Sequence, residues 1–399
     1  MAGLNTPLET STHSRHAADM SKGRTLVKED LSEEVARRYR LVREAMDEHG
    51  VDAVVVAGSE YTGFEGAVTY MSGFQIVHRY AYVLLPREGE PSIIFPGEAR
   101  YVGEHGKTWI EEQVFADNPG EWLADRLAGT RVGVYGLDYV LTVRDFVALS
   151  HKVELAPFDV EFDLARAVKS ELELDSVRDS VRINTGGFWA FLEAFAPGKR
   201  AAEVLAPAER LFVGEGCGRL TMNMVLVGPE FAVARSDTVL GEFCIPSLEI
   251  AGPGGHWVEV SRAIGSAAGE VEGMLDAYGE YFEAAKGALR PGNAAHDVHR
   301  AAAKGFLDRG YHLGHVTGHS IGMTMIEHPK IGEGVETELR ENMVFSMHPH
   351  AIAANGRDCL YMQDTWLVTA GGGEPLAGLP MRVFAPEEAP SPGETRSPA

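Results

Sequence analysis

Cysteine is scarce: Cys217, Cys244 and Cys359 are the only three in 399 residues. They are odd in number, widely spaced and form no CxxC pair, which implies no disulfide framework. Free buried thiols are the expectation. No apolar run reaches 18 residues, so no segment is a membrane-spanning candidate. The polar opening MAGLNTPLETSTHSRHAADM lacks an apolar signal core, and a cytoplasmic location is expected. Basic charge is also short: 36 Lys and Arg stand against 58 Asp and Glu, a formal charge of −22. Phosphate binding needs clustered Lys and Arg, so neither nucleic acid nor an anionic membrane is expected as a partner.

What is present is enough apolar material for two cores, and a length that suits two domains. Residues 1–30 are polar and aperiodic and read as a flexible arm. LSEEVARRYRLVREAMDEHG then reads as a helix, with Val35, Tyr39, Leu41, Val42 and Met46 near helical spacing and Gly50 as its C-cap. The strand-like runs VDAVVVAG, YAYVLLP, PSIIFP and RVGVYG alternate with helical pieces, which is the pattern of an α/β layer. Residues 161–200 read as a long helical connection, interrupted near Gly186 and Gly187, and mark the domain boundary. Beyond it, strand pieces such as EFCIPSLEIAG, HWVEVSRAIG and ENMVFSMHPH mix with long helices, which suggests an α+β unit. The Pro-, Glu- and Ser-rich end reads as a disordered tail. The divisions are therefore 1–30, 31–163, 164–385 and 386–399.

Chemistry concentrates in HLGHVTGHSIG over 312–322, a glycine-rich segment that holds three histidines within eight residues. Glycine permits the close backbone approach that a side-chain-presenting loop needs. Gly318-His-Ser320-Ile-Gly322 also matches the G-x-S-x-G nucleophile elbow. That motif needs a buried strand before it and a helix after it, and neither is evident. A dispersed set comprises Glu249, Glu259, His319, His348 and Gln363. Taken alone, each is a weak signal. Glu259, in the alternating HWVEVSRA, reads by itself as a solvated edge position.

Several of these segments together resemble the pita-bread fold of the methionine aminopeptidase, prolidase and creatinase superfamily. The resemblance runs over about 164–379. AVKSELELDSVRDSVRI resembles its Lys-Ser-x-Glu-x-Glu helix, LRPGNAAHDVH its Pro-Gly-x-x-x-x-Asp-Val segment, and GHVTGHSIG its His-x-x-Gly-His-Gly-Ile-Gly loop. LVGPEFAVAR, ENMVFSMHP and QDTWLVTAGGGEPL follow in the family's order, and TYMSGF over 69–74 resembles its N-terminal domain. The implied fold class is an α/β creatinase-like N-terminal domain followed by an α+β pita-bread catalytic domain.

Peptidases of that family bind two divalent metals through Asp, Asp, His, Glu and Glu. Those positions fall here at Glu249, Glu259, His319, His348 and Gln363, so only the histidine is kept. Gln363 cannot bridge two cations as a carboxylate does, and an ordinary dinuclear aminopeptidase is not expected. Two enzymatic readings follow from the resemblance. In the first, a creatinase-like, metal-free hydrolase cuts a C–N bond in a small amide, amidine or guanidine-like molecule. His319 with Glu259 or Glu249 would be catalytic there, and Arg235 would anchor a substrate carboxylate. In the second, a single Fe, Zn or Mn ion is held by Glu249, Glu259, His319 and His348. A third reading is a non-catalytic binding module. The resemblance also places His315 beside a small-molecule substrate and implies a homodimer, in which His78 and Arg79 form a lip over the partner's site. The expectation drawn from these readings is a non-peptidase hydrolase with either no cofactor or one divalent transition metal.

Overall fold

The computed structural model describes residues 28–60, 65–76, 78–101, 108–218, 221–227, 231–267 and 269–388. The expected arm and tail lie outside these residues except at their inner ends, where a helix already begins at Lys28 and a short 3-10 turn covers Pro386–Glu388. No helix among the described residues is long and apolar enough to cross a membrane.

The N-terminal half consists of α1 (Lys28–His49), β1 (Ala53–Ser59), α2 (Gly66–Ser72), β2 (Tyr80–Pro86), β3 (Ser92–Pro96), β4 (Glu112–Ala116), α3 (Pro119–Arg126), β5 (Arg131–Tyr135), α4 (Val143–Ser150), β6 (Glu154–Pro157) and α5 (Asp159–Ala165). The strands form one mixed sheet in the order β4-β3-β2-β1-β5-β6. The central strand β1 is buried along its whole length, as its continuous apolar run requires when both faces are covered. Val54 and Val56 face one core with Val42 and Met46 of α1, whereas Val55 and Ala57 face the other with Leu123 of α3 and Leu149 of α4. Gly50 ends α1 at φ 63°, the left-handed value expected of its capping role.

The C-terminal half begins with α6 (Glu171–Ala194) and α7 (Ala201–Gly214), followed by β7 (Met224–Leu226), β8 (Phe231–Val233), β9 (Phe243–Ala251), β10 (Trp257–Ser261) and β11 (Ile264–Gly265). Then come α8 (Glu270–Ala288), α9 (Ala295–Leu307), β12 (His312–Leu313), β13 (Gly318–Ser320) and β14 (Glu327–Ile331). The last strands are β15 (Val344–Met347), β16 (His350–Ile352), β17 (Cys359–Tyr361), β18 (Asp364–Thr369) and β19 (Gly372–Pro375). Three sheets result: β10-β9-β7-β8 with β11 on β9, β12-β16-β17, and β14-β13-β15-β18-β19. Strand alternation assigns the cores. Val344 and Leu367 join the helix pair α6–α7, while Phe345, Met347, Trp366 and Val368 join α8–α9.

The expected interruption near Gly186 and Gly187 does not occur, because α6 runs through both. These glycines serve packing: a Cβ on Gly187 would lie 2.2 Å from the Phe212 ring of α7. The chain breaks earlier, over 166–170, where Ser170 caps α6 and exchanges hydrogen bonds with Glu173 in a capping box. None of the three cysteines is in a disulfide, and Cys244 and Cys359 are buried.

Candidate active site

The site is assembled from strands rather than from one loop. Glu259 lies at the centre of β10, directly opposite Glu249 of β9 in the antiparallel register. Because side chains alternate along a strand, the pair Ser247 and Ser261 shares that face with the two glutamates. β13 carries His319 and is paired with β15, and His348 follows the end of β15. The His348 amide donates to Thr317 O at 2.7 Å, which sets the two histidine segments side by side. Gly318 is needed for that approach, since a Cβ there would stand 2.3 Å from Ser346 O. The two sheets meet where Ser261 and Gln363 exchange backbone hydrogen bonds of 3.0 and 3.1 Å and the Glu259 amide donates to Thr365 Oγ1 at 2.9 Å.

Glu259, His319 and His348 are all buried, and each offers a ligand atom within 4.8 Å of the others. His319 Nδ1 lies 3.0 Å from Ser320 O, a contact that requires the proton on Nδ1 and leaves the Nε2 lone pair free to ligate. That Nε2 stands 3.6 Å from Glu259 Oε1. His348 Nδ1 is buried with no hydrogen-bond partner. A buried nitrogen left without a partner, next to an imidazole lone pair aimed at a carboxylate oxygen, fits a cation at their centre. Two ligands bonded to one Zn-like ion stand about 3.4 Å apart, so small side-chain movements would close the group.

Glu249 is brought beside this trio but is not part of it. Its Oε1 receives the Gln363 amide at 3.3 Å and lies 2.9 Å from Ser247 Oγ. The same Gln363 amide nitrogen donates to Glu259 Oε2, as does the Ser346 hydroxyl. Gln363 Oε1 in turn receives Ser247 Oγ at 2.8 Å. A second cation does not fit this donor set, because an uncharged amide that presents N–H stands between the two carboxylates.

Burial governs the electrostatics. It raises the Glu249 carboxyl well above the usual range, reinforced by the charge of Glu259, and it raises Glu259 to about 7. Burial also lowers His319 to about 4 and His348 well below its ordinary value, the latter with help from the neighbouring imidazoles. Both shifts favour the neutral forms: the imidazoles present lone pairs, and the Glu249 carboxyl keeps its proton to higher pH than an exposed carboxyl does.

His315 borders the trio: its ring centroid is 4.9 Å from that of His348. Arg235 does not enter the site. Its guanidinium is exposed, 2.6 Å from Glu209 and 3.3 Å from Thr221, because its chain segment turns outward after β8. His78 and Arg79 belong to the N-terminal half, where Arg79 pairs with Glu98 and its amide with Glu60. Ser320 is no nucleophile at an elbow: it lies within β13, buried, with its hydroxyl 3.5 Å from Val344 O. Glu259 is only 2% exposed, which corrects the isolated reading of a solvated edge.

Sequence reasoning missed His350 and Tyr361. Their rings lie 5.6 Å apart and both flank His315, at 5.5 and 5.7 Å. The signal for His350 was its place two residues after His348 in MHPH. It also missed Ser247 and Ser346. Ser247 could have been found from its period-two spacing to Glu249.

Residues 38–168 match the Creatinase/Prolidase N-terminal domain, and residues 175–370 match Metallopeptidase family M24. The probable dipeptidase PepE of Mycobacterium tuberculosis is 26% identical over 374 residues, covering 88% of this chain and 97% of that protein. The Xaa-Pro dipeptidase of Pyrococcus horikoshii is 23% identical over 360 residues, covering 85% and 96%. The crystal structure of the prolidase from Pyrococcus horikoshii OT3 shares the fold with a TM-score of 0.72 at 22% identity, covering 85% of this chain and 97% of that one. These relatives are named for peptidase activity, which overturns the expectation of a non-peptidase hydrolase: replacement of four ligand positions is not by itself a sign that peptide chemistry was abandoned. With both halves matched in order and the architecture shared, the chain belongs to the creatinase/prolidase/M24 superfamily of pita-bread proteins.

Proposed function

We propose that the protein is a single-metal dipeptidase, hydrolysing the amide bond of a dipeptide or of a molecule of that size. The substrate class is supported by the relatives named as dipeptidases. The observation that carries the single ion is the buried trio Glu259, His319 and His348, with ligand atoms within 4.8 Å of one another. These three residues would hold one divalent transition metal, two imidazoles and one carboxylate leaving positions open for water and substrate. The chemistry such an ion supplies when bound is polarisation of a carbonyl and acidification of a water.

The chain's own groups do the rest. Glu249, whose carboxyl burial and the neighbouring Glu259 dispose to hold a proton, is suited to give one to the departing amine and to regain it in the next cycle. Gln363 and Ser346 hold Glu259 through its Oε2, which leaves Oε1 directed at His319. His315 stands at the exposed side of the imidazole group, where a substrate would arrive. Burial of the site limits competing water and strengthens each of these contacts.

Metal analysis of protein purified without chelator, combined with turnover of a dipeptide panel that includes Xaa-Pro members, tests this reading. The expected result is about one equivalent of transition metal, with hydrolysis lost on chelation. His348→Ala should lose the ion and the turnover while keeping its circular dichroism spectrum. Hydrolysis by metal-free protein would overturn the single-metal reading, and failure of the loaded protein on every dipeptide would overturn the substrate class.

A further inference from the structure

Two glutamates opposite each other on adjacent strands, both buried, form an arrangement that ordinarily calls for a cation or a proton between them, because two like charges at that spacing repel and neither can be hydrated. Here the space between them is filled from a third segment of the chain. Gln363, immediately before β18, directs its amide nitrogen at Oε1 of Glu249 and at Oε2 of Glu259. The orientation of the amide is set by Ser247, whose hydroxyl meets Gln363 Oε1 at 2.8 Å. Gln363 is itself fully buried, and its backbone is tied on both sides to Ser261 of β10. The amide group is therefore held in place from its backbone, from its oxygen and from both of its nitrogen's acceptors.

We propose that Gln363 stands in for a second cation, joining Glu249 to Glu259 and thereby limiting the site to one metal ion. The inference rests on the single-metal reading and assigns the reason for that number to one side chain. An amide N–H donates to two carboxyl oxygens as a bridging ion would, but it brings no positive charge and no open coordination position. It also fixes which oxygen of Glu259 is left for the trio: with Oε2 occupied by Gln363 and Ser346, Oε1 is the atom that faces His319 at 3.6 Å. Gln363 is thus a positioning residue, acting on the ion only through Glu259. A carboxylate at 363 would reverse both effects, because it would repel the two glutamates and supply the charge and lone pairs that a second divalent ion needs.

The test is equilibrium dialysis of the full-length protein against Co(II), followed by metal analysis, for wild type, Gln363→Glu and Gln363→Met. Wild type should retain one ion and Gln363→Glu two. Gln363→Met, close in volume but without the amide, should still retain one ion with affinity reduced about 10- to 100-fold, the usual effect of losing a group that orients a ligand. Wild type binding no ion would overturn the single-metal reading itself. Wild type binding one ion and Gln363→Glu also binding one would leave that reading intact and overturn the role of Gln363. Should Gln363→Glu fail to fold, Gln363→Met decides: a tenfold or greater loss of affinity supports the proposal, and any smaller loss overturns it.

Discussion

Glu249 and Glu259 are the same residue type on facing strands, yet their surroundings prepare them for different work. Glu259 keeps one oxygen for His319, whereas Glu249 faces Gln363 and Ser247, and burial raises its carboxyl's proton affinity. A Glu249→Gln variant should retain the ion and the fold but lose turnover by about 10²- to 10⁴-fold, the range for removing a positioned acid–base group. Steady-state kinetics on metal-loaded protein would check it, and an unchanged kcat would show that the proton comes from elsewhere. Both glutamates were recognisable as candidates through the motifs around them. Their separate roles were not, because a carboxyl's proton affinity is set by burial and neighbours from distant parts of the chain.

At the scale of elements, α6 shows how a local signal can mislead. Paired glycines in a helical stretch suggest a break, but Gly187 is used to admit the Phe212 ring of α7. Only the neighbour reveals that use. The first turn of the same helix carries Glu173, which is buried and ion-paired with Arg37 and, at 3.4 Å, with Arg38 of α1, while His256 stands 3.9 Å away. Burial works against its charge, but Arg38, His256 and Arg37 outweigh burial and hold the carboxyl far below its ordinary value near 4.5. A carboxyl lowered on folding adds stability that is present above its unfolded value and is lost as pH falls below it. Glu173→Gln should therefore cost about 3 kcal/mol near neutral pH, since it leaves the Arg37 and buried Arg38 charges to Glu34 alone. The gap to wild type should narrow below about pH 4.5. Denaturant unfolding of both proteins at pH 7 and pH 4 would show whether it does.

At the scale of the whole molecule, the halves meet through close backbone contact. A Cβ on Gly66, at the start of α2, would lie 1.7 Å from Met323 O, in the chain just beyond the His319 strand. Backbone cannot yield as a flexible side chain can. Gly66→Ala should destabilise the protein by about 1–3 kcal/mol, the usual cost of overpacking, and should weaken metal binding by displacing that segment. A thermal melt with and without Co(II) would measure both effects. His78 and Arg79 belong to the N-terminal half, where Arg79 pairs with Glu98. We propose that they act across a homodimer, in which case His78→Ala should lower turnover while sedimentation still reports a dimer; a monomeric wild type would exclude this.

Much of the chain's organisation was legible without coordinates. The continuous apolar runs of the first half required strands covered on both faces, and the helical spacing from Val35 to Met46 required α1. The ordered motifs of the second half placed Glu249, Glu259, His319 and His348 in one family pattern. These features were readable because a strand or a helix has a fixed period and a motif has a fixed spacing. Tertiary structure decided the rest. It turned Arg235 outward onto Glu209, brought His350 and Tyr361 beside His315, and set the Gln363 amide between two carboxyls. Those relations join residues dozens to more than a hundred positions apart. Their chemistry depends on distance, burial and lone-pair direction, which exist only once the strands have been brought into register.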